Sequence, residues 1–199
     1  METFLKYFPA TVFVALVLFA TKEAIEFVKR RKADKRKIEA LHVLLAAECE
    51  RNHWTIKSLR MAARDIVDFT KLDDGTMVGV RVNKNGWMNF KLEMPNLGHW
   101  GSRSVTPVQK TILEKHLVDA AMLDKRLFDV MREAYNAALE MDHVRTGLYE
   151  CVSRKSEGEE DHLDGFDVYA NSELDDVYDR MNALYRMCTG SKLEKHRVI

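Results

Sequence analysis

Residues 38–68 read IEALHVLLAAECERNHWTIKSLRMAARDIVD, and their periodicity decides the fold. Apolar side chains recur at Ile38, Leu41, Leu45, Cys49, Ile56, Leu59, Ala63 and Ile66, the three-and-four spacing of a helix with one buried face. No Gly or Pro occurs between Ala10 and Asp74, so no breaker interrupts a helix over that length. The spacing predicts one long helix ending near residue 68, with room for a bend in its charged part. Two polar residues, Glu48 and Asn52, fall one turn apart on the apolar face. Such a pair either forms a polar pocket near Trp54 or the hairpin that follows, or satisfies backbone groups of a neighbouring segment and fixes helix register.

Working back from this helix, residues 29–37 (KRRKADKRK) form a basic neck. The formal net charge is zero, but residues 1–37 hold nine Lys/Arg against four Asp/Glu, so the remainder carries −5. A basic neck on an acidic body suits an anionic membrane surface better than a nucleic acid. Before the neck, Tyr7 to Thr21 (YFPATVFVALVLFAT) carries no charge. Its fifteen residues rise about 22 Å, short of a hydrocarbon core of roughly 30 Å. Phe4 and Leu5 precede it, Ala24, Ile25, Phe27 and Val28 follow it, and Lys6 and Lys22 can snorkel to the interface. Pro9 suits the first turn of a helix.

The expectation is a single transmembrane helix within residues 1–28, held by Tyr7, Phe8, Val12, Phe13, Val14, Leu16, Val17, Leu18 and Phe19. A cleaved signal peptide fits less well, because the run passes directly into a charged helical pattern. An in-plane or buried helix is the alternative that its shortness leaves open. Positive charge lies almost wholly downstream, so the positive-inside rule puts residues 38–199 on the cytoplasmic side. Arg30, Arg31, Lys32, Lys35, Arg36 and Lys37 would then meet anionic headgroups.

Working forward, Leu72-Asp73-Asp74-Gly75 ends the helical period and alternation begins. Val78, Val80 and Val82 face Met88, Phe90 and Leu92 across Lys84-Asn85-Gly86. A three-residue loop with a left-handed Gly86 pairs Val82 with Met88, Val80 with Phe90 and Val78 with Leu92. A two-residue Asn-Gly turn would pair Val82 with Asn89 and scramble the faces. The hairpin, at about 76–94, is expected to be the only sheet and to pack on helices. Residues 95–105 read as a loop, and Thr106-Pro107-Val108-Gln109 as a capping box opening a helix to about Leu148, with a break near 119–125. Residues 153–171 read as an acidic loop, Asn171-Ser172-Glu173 as the start of a last helix closed by Gly190, and SKLEKHRVI as a frayed tail. The fold class is therefore mainly α: an N-terminal anchor, then a cytoplasmic helical bundle, with coiled-coil-like packing, carrying one β-hairpin.

Chemistry is sparsely signalled. Glu-x-x-His occurs at Glu39/His42, Glu50/His53 and Glu140/His143, the spacing that paired helices use in di-iron bundles. A di-iron bundle needs two such pairs facing each other plus carboxylates from two further helices, whereas here two of the pairs share one helix, about 16 Å apart along its axis. Cys49, Cys151 and Cys188 form no CxxC pair and read as reduced thiols. Residues 157–167 (EGEEDHLDGFD) lack calcium-loop spacing, and no nucleophile elbow, Walker loop or dinucleotide fingerprint occurs. His99-Trp100, between Gly98 and Gly101, reads as a contact loop or as a plug at the bundle end. No cofactor or nucleic acid is expected, and the partners are the bilayer plus another protein or a second copy of the chain. The leading expectation is a membrane-tethered, non-enzymatic interaction, scaffold or sensor module. An oligomerising membrane effector, with Thr11 and Ala15 as its small-residue pair, and a metal-binding helical enzyme are the alternatives.

Overall fold

The computed structural model describes residues 10–72, 75–157 and 163–193. It divides into two units, Met1–Leu41 and His42–Ile199, and one helix, α1 (Ala10–Leu72), runs through both. The continuity follows from a 63-residue stretch without Gly or Pro.

In the first unit α1 is exposed nearly everywhere. Val12, Phe13, Val14, Leu16, Val17, Leu18 and Phe19 all face solvent, as do Ile25, Phe27 and Val28. Its charges pair along the helix: Glu26 with Lys22 (4.0 Å) and Arg30 (3.4 Å), and Glu39 with Lys35 (3.9 Å). No helix among the described residues is long and apolar enough to cross a membrane. The expected span opens at Tyr7, and Tyr7, Phe8 and Pro9 lie outside the described residues. An 18-residue window opening at Ala10 must extend to Phe27, and so takes in Lys22, Glu23 and Glu26.

The second unit is a helical bundle carrying a small sheet. Its side of α1 buries Leu45, Cys49, Ile56, Leu59, Ala63 and Ile66, the stripe read from the sequence, and adds Ala62 and Val67. After it come β1 (Met77–Val82), β2 (Met88–Met94), β3 (His99–Val105), α2 (Thr111–Leu123), α3 (Lys125–Ser156) and α4 (Phe166–Thr189). β1 and β2 pair antiparallel with Val82 opposite Met88, Val80 opposite Phe90 and Val78 opposite Leu92, as the hairpin register requires. Asn83 N–H donates to Trp87 O at 2.9 Å, and Gly86 takes φ +77° to close the three-residue loop.

The sheet has a third strand where a loop was expected. β3 runs antiparallel to β2, setting His99 opposite Met94, Gly101 opposite Leu92 and Arg103 opposite Phe90. These positions share the inner face of β2, which buries Met88, Phe90, Leu92 and Met94. Polar and side-chain-less residues on that face erase the apolar alternation by which a strand is recognised. Arg103 is accommodated by an ion pair with Asp65 of α1. Pro95–Leu97 forms a 3-10 turn joining β2 to β3.

The helix boundaries also move. The expected capping box is not a helix start: residues 106–110 carry no regular secondary structure and α2 opens at Thr111. The break near 119–125 is the junction of α2 and α3, where the Asp124 carboxylate accepts from Arg126 N–H (2.8 Å) and Leu127 N–H (3.2 Å). α3 passes beyond Leu148 to Ser156. α4 begins at Phe166 rather than Asn171, since Phe166 and Ala170 prolong the buried stripe of Leu174, Val177 and Met181. Gly190, at φ +75°, closes α4 as read. The tail is anchored at least to Leu193, which is buried, with its N–H donating to Asn182 Oδ1 (2.9 Å) and its carbonyl accepting from the Tyr178 hydroxyl (3.0 Å). Residues 158–162 of the acidic loop and 194–199 of the tail lie outside the described residues.

Gly86→Ala should cost about 1–2 kcal/mol, the penalty for a side chain in the left-handed region, since its Cβ would make only an ordinary 3.6 Å contact with Pro107. Urea unfolding measures this, and a loss near zero would mean the turn is free to adopt another geometry.

Candidate functional site

Glu48 and Asn52 are both buried and both used by backbone. The two Glu48 oxygens accept from Ile112 N–H (2.9 Å) and Leu113 N–H (3.0 Å), capping the first turn of α2 from another helix. Asn52 grips Gln109 in both directions: its amide donates to Gln109 O (2.6 Å) and its carbonyl accepts from Gln109 N–H (2.8 Å). One turn on, the Thr55 and Thr106 hydroxyls share a hydrogen bond of 2.6 Å. A continuous polar strip on α1 thus holds the connection from Thr106 to Leu113. Thr106 is bound to Thr55 and Gln109 is held on both sides by Asn52, which explains why the local capping signal does not act.

Beside this strip lies a cleft of about 490 Å³. α1 contributes Arg51, Trp54, Thr55 and Ser58, the hairpin loop contributes Trp87, and Ser104 with Thr106, Pro107 and Gln109 complete the walls. Of the two sequence readings, the polar pocket near Trp54 or the hairpin is not formed by Glu48 and Asn52, which do not line this cleft. The pair instead satisfies backbone groups, the reading favoured for it. The hydroxyls here are already engaged, with Ser58 donating to Thr55 O (3.0 Å) and Ser104 to Asn89 Oδ1 (2.7 Å). Lys57 Nζ sits 5.2 Å from the centre of the Trp54 ring. Trp87 was missed as a site residue because, read alone, it is one more residue of a turn. Its role depends on where the folded hairpin sets it.

The hairpin tip is tied down from behind. Arg145 of α3, mostly buried, donates to Gly86 O and lies 3.7 Å from Asp142, which also accepts from Lys110 (3.2 Å). Burial lowers the Arg145 pKa from its ordinary value, and Asp142 opposes that shift.

A second cleft, of about 640 Å³, is lined by His53, Lys57, Arg60, Asp175, Tyr178 and Leu193. Arg60 and Asp175 pair there at 2.5 Å, and the His53 ring lies 5.6 Å from that of Tyr178. The Glu-x-x-His pairs are likewise dispersed. Glu50 accepts from the Tyr185 hydroxyl (3.0 Å), which burial and Glu50 together push above its usual pKa, and Glu140 pairs with Arg180. Among the described residues no three His, Cys, Asp or Glu side chains group to hold a metal. His99 and Trp100 stand exposed on β3, so Trp100 does not plug the bundle.

In the N-terminal unit the candidate headgroup contacts differ in their surroundings. Arg30 and Lys35 pair with glutamates and Arg31 lies 5.2 Å from the centre of the Phe27 ring. Lys32, Arg36 and Lys37 have no ion-pair partner among the described residues. No family model, curated protein or solved structure matches the chain, so its function is argued from geometry.

Glu48→Ala should destabilise the fold by about 2–4 kcal/mol, because it strands two buried N–H groups. Glu48→Gln should cost about half of that, since one acceptor oxygen survives. Unfolding titrations of both variants test this, and equal losses would mean that only burial matters there. Burial also pushes the Cys49 thiol strongly up, with Cys188 and Glu48 adding to it, and raises Cys188 to about 12. Both should alkylate on the order of a hundredfold more slowly at pH 8 in the folded chain than in the denatured one. Peptide mapping after iodoacetamide pulses measures the ratio.

Proposed function

We propose that the chain is a membrane-tethered binding module, attached through the N-terminal part of α1 and acting through the helical unit that follows. The observation that carries this reading is the exposure of ten large apolar side chains between Val12 and Val28. An apolar stretch of this kind on a soluble protein marks a place that something else covers. What comes next supports a bilayer as the covering medium. A helix that is apolar and then strongly basic matches hydrocarbon followed by anionic headgroups, and Lys32, Arg36 and Lys37 are free of ion pairs among the described residues.

Residues 1–9 would complete a span, with Tyr7 and Phe8 at the far interface and the larger unit on the cytoplasmic side by the positive-inside rule. Lys22, Glu23 and Glu26 would then sit at the near interface, where Lys22 and Glu26 neutralise each other across one helical turn. The larger unit carries a cleft walled by two tryptophans and an arginine. That argues for recognition of a ligand or partner, as a sensor or scaffold would need, in preference to catalysis.

The full chain should fractionate with membranes and resist alkaline carbonate. Leu16→Asp combined with Val17→Asp should release it. Replacing Arg30, Arg31, Lys32, Lys35, Arg36 and Lys37 by Gln should weaken attachment to anionic vesicles by tenfold or more at low salt, with each cation worth about 1 kcal/mol near such a surface. A soluble wild-type chain would refute the tether. Attachment indifferent to the six replacements would remove the neck from it.

A further inference from the structure

We propose that the cleft between α1 and the hairpin is a binding site for a small planar aromatic anion, stacked on the Trp54 and Trp87 indoles and held by the Arg51 guanidinium. The inference goes beyond membrane attachment and does not depend on it, since every lining residue belongs to the second unit.

Three features carry the assignment. The first is size: about 490 Å³ falls within the range of small-molecule pockets, which are mostly apolar with a few convergent polar groups. The second is the nature of the walls. Trp54 comes from a helix and Trp87 from a hairpin, the two rings make no ring contact with each other, and each is more than a third exposed. Leaving two indoles part-exposed around one hollow forgoes the apolar burial that packing them together would give. An aromatic guest recovers it.

The third feature is a surplus of donors. Arg51 uses only its Nε, donating to Ala47 O at 3.2 Å, and it meets no carboxylate among the described residues. Neither indole N–H has a protein acceptor among the described residues. The hydroxyls of Thr55, Thr106, Ser58 and Ser104 are engaged with one another or with nearby oxygens. No acidic side chain lines the cleft, while Lys57 stands over the Trp54 ring. A guanidinium with its two terminal nitrogens unused and two indoles without a protein acceptor, on residues that line an apolar hollow, suit a guest rich in acceptors and negative in charge, because a guanidinium binds a carboxylate in bidentate fashion.

The test uses the full chain in detergent micelles, with nitrogen-15 spectra resolving the indole N–H signals of Trp54, Trp87 and Trp100. Trp100 lies on β3 outside the cleft, 81% exposed, and reports any non-specific association or partition into the micelle. Titration with naphthalene-2-carboxylate should shift the Trp54 and Trp87 signals saturably, with a Kd below about 1 mM, and leave Trp100 in place. Naphthalene-2-carboxamide and cyclohexanecarboxylate should each bind about tenfold or more weakly, the first lacking the charge and the second the ring. Arg51→Gln should weaken carboxylate binding about tenfold or more and leave carboxamide binding unchanged. Trp87→Leu, a second variant in case Arg51→Gln does not fold, should weaken both naphthalene ligands.

Absence of saturation, or movement of Trp100 in step with the other two, would overturn the site. Equal binding of carboxylate and carboxamide, or an Arg51→Gln variant that keeps its preference for the anion, would overturn the assigned chemistry.

Discussion

The hold of Glu48 and Asn52 on the segment from Gln109 to Leu113 is the interaction on which the second unit depends. A buried carboxylate is costly to desolvate, and it is tolerated here because both oxygens receive backbone N–H groups at the positive end of a helix. The same strip of α1 decides where α2 begins. Without it, Thr106 and Pro107 would start a helix four residues earlier, and the non-helical stretch that walls the cleft would not exist. Tertiary bonds between side chain and backbone thus overrule a strong local propensity.

That arrangement brings three distant parts of the chain to one place. Trp54 is set by α1, Trp87 by the hairpin, and Pro107 and Gln109 by the clamped connection. None is a ligand-binding residue by type or motif. The sheet serves the same end: β2, buried along one face, carries the strand to which β3 adds Ser104 at the rim.

Much of the architecture was legible from periodicity. The α1 stripe, the hairpin register, the left-handed Gly86 and the junction of α2 with α3 all follow from side-chain spacing and turn chemistry, which act locally. What escaped depends on partners far away in sequence. β3 presents His99, Gly101 and Arg103 where a strand would show apolar residues, and it is stabilised by pairing with β2 and by Asp65. The start of α2 escaped because its cap lies on another helix. Glu48 and Asn52 stand out of place on an apolar face, and the reading favoured for such a pair, satisfaction of backbone groups, is the one the structure shows. The exposed apolar part of α1 was legible as composition alone, and no described helix is long enough and apolar enough to span a bilayer.

The hydrogen bond from Arg145 to the Gly86 carbonyl has a dynamic meaning. A hairpin tip free in solvent would sample many arrangements, and a guest pressing on Trp87 would have to select one of them. Here the tip is fastened to α3, and the loop beside it adopts its turn through the Asn83 side chain, which accepts from the N–H groups of Asn85 and Trp87. These bonds restrict the tip without any help from a guest. If the proposed guest binds, recognition would proceed with less loss of chain entropy and less rearrangement of this wall than at an untethered hairpin.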